Sequence, residues 1–475
     1  MKILLYYEPS TFADGFSGTS SYRLIVDHLL NFSGKSLAGR LDVDFRLVLS
    51  EAAAFANAGT RLLDQLNPVM LTDEEVFDVA EAGSSFHALF LRMFHSRLSV
   101  EEEDRYAALI RRKLGSWEPD LIITFPVHND YLKRIYPRAL VLNNENGMFS
   151  RAPFPRCLRY EPCGYIRNFT NAYAGEIGSF PVPAAEAGKV AEFRAEVAGL
   201  VERFNPIREQ IADLRSRFGQ LVLLPIIWGN DYEESDYDDE FAFFNGIVAS
   251  IPRDVGIIVT RHDNVQDQLN ANVLPYLKAK FPNVIFHADS VSRIGCYFSP
   301  SLNYFGAVDA VLNCMTGTGL QALLWDTRVI AIDRSYSHWF SDGIGLDGLA
   351  GKLVRPVRDR TSLLYWYLTH YAVFERRYTD GDWLFRFLSD RIDRFRRDGI
   401  TFGLFGQIED IGDVAEYILA RVRESLEAAG PFAGHPPAGA PERPSLGECL
   451  RWKICESLIP WRRERYAEKL RRCGF

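Results

Sequence analysis

Glu145 and Asp231 are the two carboxylates whose surroundings best suit chemistry. Each follows an apolar run. Leu140-Val141-Leu142 leads into Asn143-Asn144-Glu145-Asn146-Gly147, and Leu221–Ile227 leads into Trp228-Gly229-Asn230-Asp231. Open α/β sheets bind ligands where their strands end. A partly desolvated carboxylate among neutral amides suits general acid/base work, and one at a strand's mouth can be a nucleophile or a base. Each stretch also has a purely structural alternative. Asn-Gly favours a plain turn, and acidic residues favour the first turn of a helix. Tyr160-Glu161-Pro162-Cys163-Gly164-Tyr165 reads as a second turn carrying a carboxylate. Asp236-Tyr237-Asp238 has the DxD form, but it lies in a continuous acidic run without His or a second spaced cluster. No metal site is expected from it.

Three further stretches offer contacts for an anion. Thr260-Arg261-His262 ends the run Ile257–Val259, and a guanidinium fork beside an imidazole can hold a phosphate. Val311-Leu312-Asn313-Cys314-Met315 leads into Thr316-Gly317-Thr318-Gly319, and an apolar helix carrying Gln321 follows. Hydroxyls and a helix N-terminus there can face one point, or the same residues simply cap the helix. Asp14–Ser21 is a small-residue loop containing Gly18 and Thr19 before another helical pattern. It has neither the dinucleotide-binding nor the P-loop spacing. It presents backbone N–H groups to a sugar or anion, or caps a helix.

The elements that must position these residues are strands and helices in alternation. Ile3–Tyr7, Phe45–Leu49, Leu121–Phe125, Ala139–Leu142, Leu221–Ile227, Gly256–Val259, Val284–Phe286, Ala310–Leu312 and Val329–Ile332 read as buried strands. Ser21–Phe32, Val100–Leu114, Val190–Phe218 and Phe241–Ala249 read as helices between them. Such alternation predicts an α/β protein with parallel sheets covered on both faces. The strand series pauses from Pro183 to Phe218, which divides the chain at residues 205–219. The expected units are 1–205, 219–361, and a helical segment 362–428 packing across both. A Pro/Gly linker, 429–445, and a basic amphipathic tail, 446–475, follow.

Composition narrows the function classes. The 475 residues are 47% hydrophobic and 24% charged, an ordinary globular balance. The net charge is -8, which argues against a general nucleic-acid binder. Seven cysteines without a CxxC pair read as free thiols of a reducing compartment. The N-terminal apolar run meets Glu8 too soon for a signal peptide, and no run reaches the ~18 apolar residues of a membrane span. The tail reverses the charge balance, with 8 Lys/Arg against 4 Glu. It reads as an interfacial helix for an anionic membrane or a docking helix for an assembly partner, or as a solvated helix packed back on the body. The expected location is cytoplasmic, peripheral at the inner membrane.

In this order and spacing the motifs resemble a GT-B glycosyltransferase. More narrowly they resemble the bacterial capsule and O-antigen transferases that use CMP-Kdo. Glu145-Asn146-Gly147 and Leu158–Tyr165 are similar to that family's two acidic turns, and Leu224-Pro225 through Asn230-Asp231 to its strand ending in an Asp-containing turn. Arg261-His262 stands at its His-Pro motif, with Asp263 in place of Pro. Asn313–Leu323, Val329–Ile332 and Ser335-Tyr336-Ser337-His338-Trp339 are similar to its Ser/Thr-Gly-x-Glu-Ala-Leu helix and Tyr–Trp loop, with Gln321 in place of Glu. The resemblance implies two Rossmann-like domains facing a central cleft. It also implies transfer of a Kdo-like ulosonic acid from a CMP-sugar to a glycan or lipid-linked glycan. Asp231 would be the nucleophile of a retaining double displacement and Glu145 the acid/base. His262, Arg261, Thr316, Gly317, Thr318 and Gln321 would hold the donor, and Gly18, Thr19, Asn230, Glu161 and Tyr336 the sugars. A leaving group with one phosphate needs no metal, and no other cofactor is implied. The departure at Gln321 leaves open a UDP- or GDP-linked donor. A catalytically silent polysaccharide-binding scaffold is the alternative of another class.

Overall fold

The computed structural model describes residues 1–7, 35–51, 54, 66–79, 89, 92, 97–124, 130–149, 153–164, 168–226, 240–260, 273–286, 300–332 and 336–429. Gly18, Thr19, Asn230, Asp231, Arg261 and His262 lie outside these residues. So do the helix expected at Ser21–Phe32 and the 446–475 tail.

Runs of Val, Ile and Leu fully withdrawn from water form two sheets. The first contains β1 (Lys2–Tyr6), β2 (Asp44–Ser50), β3 (Pro68–Leu71), β4 (Leu121–Thr124), β5 (Leu140–Asn146), β6 (Cys157–Glu161) and a late strand, β13 (Val373–Phe374). The second contains β7 (Gln220–Pro225), β8 (Val255–Thr260), β9 (Val284–Phe286), β10 (Ala310–Asn313), β11 (Arg328–Ala331) and β12 (Gly343–Ile344). The orders are β13-β6-β5-β4-β1-β2-β3 and β12-β11-β10-β7-β8-β9. Read from β9, the second sheet has the Rossmann order 3-2-1-4-5-6, with its direction of winding reversing between β7 and β10. Five strands of the first sheet repeat that pattern, reversing between β1 and β4. The chain is thus α/β, with two mostly parallel, Rossmann-like sheets.

Alternate residues of the parallel strands enter different cores, because successive side chains of a strand point to opposite faces. Leu221, Leu223, Val311 and Val329 face one cluster, whereas Val222, Leu224, Leu312 and Ile330 face another. Helices cover these faces: α1 (Val100–Leu114), α2 (Ala184–Arg203), α3 (Gly317–Ala322), α4 (Thr361–Trp366), α5 (Gly381–Asp398) and α6 (Ile411–Ala429). Local chemistry sets their ends. Ser99 and Glu102 form a reciprocal capping box on α1, and Gly115 closes it at φ 62°. Asp380 accepts from the Asp382 and Trp383 N–H groups at the start of α5. A cap of this kind contributes about 1 kcal/mol.

The structure corrects the sequence reading at three places. Asn143–Asn146 is not a polar turn but the end of β5, because β6 pairs with it antiparallel and supplies polar partners. The first sheet is therefore mixed, with β13 also antiparallel to β6. The single helix expected at Val190–Phe218 is two, α2 and Arg208–Arg217, separated at Asn205-Pro206, where proline cannot continue the backbone ladder. Segment 361–429 meets both sheets. α5 packs on the first through Leu384, Phe387 and Leu388, while Leu363 and Val414 join the cluster under the second. Both sheets lie in one compact unit, residues 1–429. No helix among the described residues is long and apolar enough to cross a membrane.

Candidate functional site

Strand alternation sets the first half of the site. Asn143 pairs with Glu161 and Glu145 with Arg159 across the β5–β6 ladder, so all four share one face. Glu145 is half-buried, and its Oε1 accepts from the Asn146 N–H at 2.6 Å. The Arg159 guanidinium lies 5.4 Å from the ring centroid of Tyr336, which belongs to the other half of the molecule. Glu161 is 1% exposed. Its Oε1 accepts from the Cys163 N–H at 3.0 Å and the Phe169 N–H at 2.5 Å, and its Oε2 from the Tyr371 hydroxyl. Burial lifts its pKa above the usual carboxylate range, outweighing the opposite pull of Tyr371, the Phe169 N–H, Arg159 and the Cys163 N–H. Both oxygens are engaged by the protein, so Glu161 fixes the loop that follows β6.

The second half is built at the end of β10. The pairs Ala310–Val222 and Val311–Leu223, continued by two residues, set Asn313 beside Pro225 at the reversal point between β7 and β10. The chain then turns through Met315 at φ 48°, a left-handed conformation costing an L residue about 1–2 kcal/mol. Thr316 caps α3, accepting from the Thr318 N–H at 3.0 Å, and its hydroxyl donates to Asn313 Oδ1 at 3.2 Å. That oxygen also accepts from the Gly319 N–H at 3.0 Å. A Cβ on Gly319 would stand 2.6 Å from Asn313 Cγ, so only glycine allows this arrangement. Gly317 is exposed with open space around its Cα, and Thr316 and Thr318 are half-buried. Two N–H groups of this helix start are thus satisfied internally, while the outer edge of the loop stays accessible.

The two halves meet at Gln321 and Tyr336, which the sequence assigned to the donor and the sugars, and at Met148, Asn168, Asn171 and Tyr367, which it did not single out. Gln321 is 5% exposed and turns inward, donating from Nε2 to the Met148 carbonyl at 2.9 Å. The Met148 N–H donates to the Tyr367 hydroxyl at 2.6 Å. Asn168 Nδ2 donates to the Tyr336 carbonyl at 3.5 Å, and the Trp339 N–H donates to Asn171 Oδ1 at 3.0 Å. A Cβ on Gly147 would stand 2.4 Å from Cys157 Sγ, which explains the glycine between Glu145 and this joint. Met148 follows β5, Gln321 lies in the helix after β10, and Tyr336 follows β11. The joint therefore brings together the carboxyl ends of strands from both sheets.

No family model matches the chain, and no curated protein matches it. Among solved structures it is similar to KpsC of Thermosulfurimonas dismutans, a β-Kdo 2,7-transferase, at 12% identity and TM-score 0.37, over 68% of this chain and 90% of that one. It is also similar to a UDP-GlcNAc 2-epimerase of Methanocaldococcus jannaschii, at 12% identity and TM-score 0.33, over 82% of this chain and 99% of that one. CalG4, the calicheamicin glycosyltransferase, is similar at 12% identity and TM-score 0.29, over 91% of this chain and 99% of that one. Likenesses this distant carry no functional argument.

The arrangement offers a half-buried carboxylate, Glu145, on one sheet. Hydroxyl and backbone donors at the reversal point of the other sheet complement it. Open α/β sheets take ligands at such points.

Proposed function

We propose that the chain is a GT-B glycosyltransferase of bacterial surface-polysaccharide synthesis. It moves a Kdo-like ulosonic acid from a CMP-linked donor to a glycan or lipid-linked glycan of a capsule or O-antigen. One observation carries this reading: two Rossmann-ordered sheets joined where their strands end, with Glu145 on one side and the Thr316–Thr318 loop on the other. In this proposal an Asp231 carboxylate oxygen attacks the anomeric carbon, and the bond to the phosphate oxygen breaks to release CMP. An acceptor hydroxyl then attacks the same carbon. Its proton passes to Glu145, and the bond to Asp231 breaks, so two inversions give net retention. Arg261, His262 and the Thr316–Thr318 loop hold the donor phosphate. Gly18, Thr19, Asn230 and Tyr336 line the sugar path, and the 446–475 tail meets the anionic inner membrane or an assembly partner.

The UDP- or GDP-linked alternative drew its motive from Gln321. That amide donates from Nε2 to the Met148 carbonyl, which supports reading its difference from glutamate at the joint. Thermal-shift measurements with CMP, CDP, UDP, GDP and ADP, with and without Mg²⁺, test the reading. CMP is expected to stabilise the chain, by ~2.7 kcal/mol at a hundredfold excess over its dissociation constant. Asp231→Ala is expected to keep that shift and lose transfer. A shift with UDP or GDP alone would reassign the donor, and no shift with any nucleotide would replace the enzyme with a scaffold.

A further inference from the structure

We propose that Asn313 Nδ2 donates a hydrogen bond to a phosphoryl oxygen of the bound nucleotide-linked donor; this rests on the nucleotide-sugar reading above. Asn313 is wholly buried at the end of β10, and the two ends of its carboxamide differ. Oδ1 accepts from the Gly319 N–H and from the Thr316 hydroxyl, which fixes the orientation of the group. Nδ2, on the other side, is buried and has no hydrogen-bond partner among the described residues. Buried amide donors are almost always satisfied, and an exception calls for a function or a missing partner. This exception lies at the carboxyl end of β10, on the reversal point of the second sheet, where a ligand is expected on topology alone. An N–H₂ group can only donate, so its partner must present an acceptor. A phosphoryl oxygen is the ionised acceptor that every nucleotide-sugar brings to such a place, and hydrogen bonds to an ionised acceptor are roughly twice as strong as neutral ones.

Asn313→Asp separates this role from capping. The carboxylate keeps the oxygen that accepts from Gly319 and Thr316, and it replaces the donor by a second acceptor. Calorimetric titration would use CMP with cytidine and, in parallel, UDP with uridine. The expected result is at least a tenfold loss of nucleotide affinity with unchanged affinity for the matching nucleoside; the buried carboxylate also lowers the melting temperature without ligand, so the titrations are run well below that transition. Unchanged nucleotide affinity, or equal losses for nucleotide and nucleoside, would overturn the assignment while leaving the nucleotide-sugar reading in place. A wild-type chain that binds no nucleotide would remove both. If Asn313→Asp does not fold, Asn313→Ser carries the same comparison, since its hydroxyl oxygen can still accept near Gly319 but the amide donor is gone.

Discussion

At position 321 an amide, not a carboxylate, determines what the side chain can hold. The Met148 carbonyl facing it is an acceptor, and only the amide's N–H₂ can donate to it at 2.9 Å. Gln321→Glu would set oxygen against oxygen in a buried place and force a carboxylate out of water. Leaving a buried acceptor unsatisfied costs about 1–3 kcal/mol, more when the intruding group is charged. Gln321→Glu is therefore expected to lose about 2 kcal/mol or more, read as a lower urea midpoint. An unchanged midpoint would mean that the bond to Met148 does not hold the halves together. The sequence placed Gln321 at the donor because its neighbours resemble a donor-binding helix. Nothing local in the chain points to a partner 173 residues away. The Thr316 cap was legible for the opposite reason, since both of its partners lie within three residues. Asn168, Asn171 and Tyr367 were missed because their meaning is also long-range.

At the scale of elements, the turn after α4 is the most sensitive. Residues Tyr367–Tyr371 form a π-helical turn, a widened geometry that is rare outside functional or strained sites. It holds His370 against the Phe180 ring, with centroids 4.9 Å apart, and 2.7 Å from the Thr369 hydroxyl. Burial, and then the nearby Arg391, push the imidazole pKa down from 6.5 to about 4. The unfolded chain therefore binds the proton first. Above 6.5 both states are neutral, and stability is lost as the pH falls from there toward 4. Urea midpoints at about pH 7.5 and pH 4.5 are expected to fall further for the wild type than for His370→Gln, which cannot take up that proton. Equal falls would show that His370 does not carry the effect. The same scale shows what the sequence reveals. All nine expected strands are present, because each is a run of buried Val, Ile and Leu. The four missed strands lack that signal. β12 and β13 have two residues each, β3 opens on proline at a sheet edge, and β6 carries Arg159 and Glu161. Charged residues inside a strand read as a turn until their partners on β5 are known.

Across the whole molecule, the core ignores the division that the strand series suggests. One apolar cluster contains Met148, Phe149 and Phe154 from the first half together with Leu223, Val311, Leu320 and Trp339 from the second. α2, α4 and α6 contribute Val197, Leu364 and Ile418 to the same cluster. Segment 361–429 then returns to the first sheet, where Val373, Tyr378 and Leu388 pack with Leu5 and Leu142. Neither sheet can lose its cover without exposing side chains that belong to the other. Burying a Leu- or Phe-sized side chain is worth about 1.5–3 kcal/mol, so separating the halves would forfeit many such contributions at once. Two α/β units joined only by a linker would melt separately. Here differential scanning calorimetry is expected to show one transition for residues 1–429, with calorimetric and van't Hoff enthalpies in agreement. Two resolved transitions would mean that the shared core contributes little. That outcome would also weaken the case that the joint at Met148 and Gln321 holds Glu145 at a fixed distance from the Thr316 loop, a separation that must be steady if one sugar is to be handed between them.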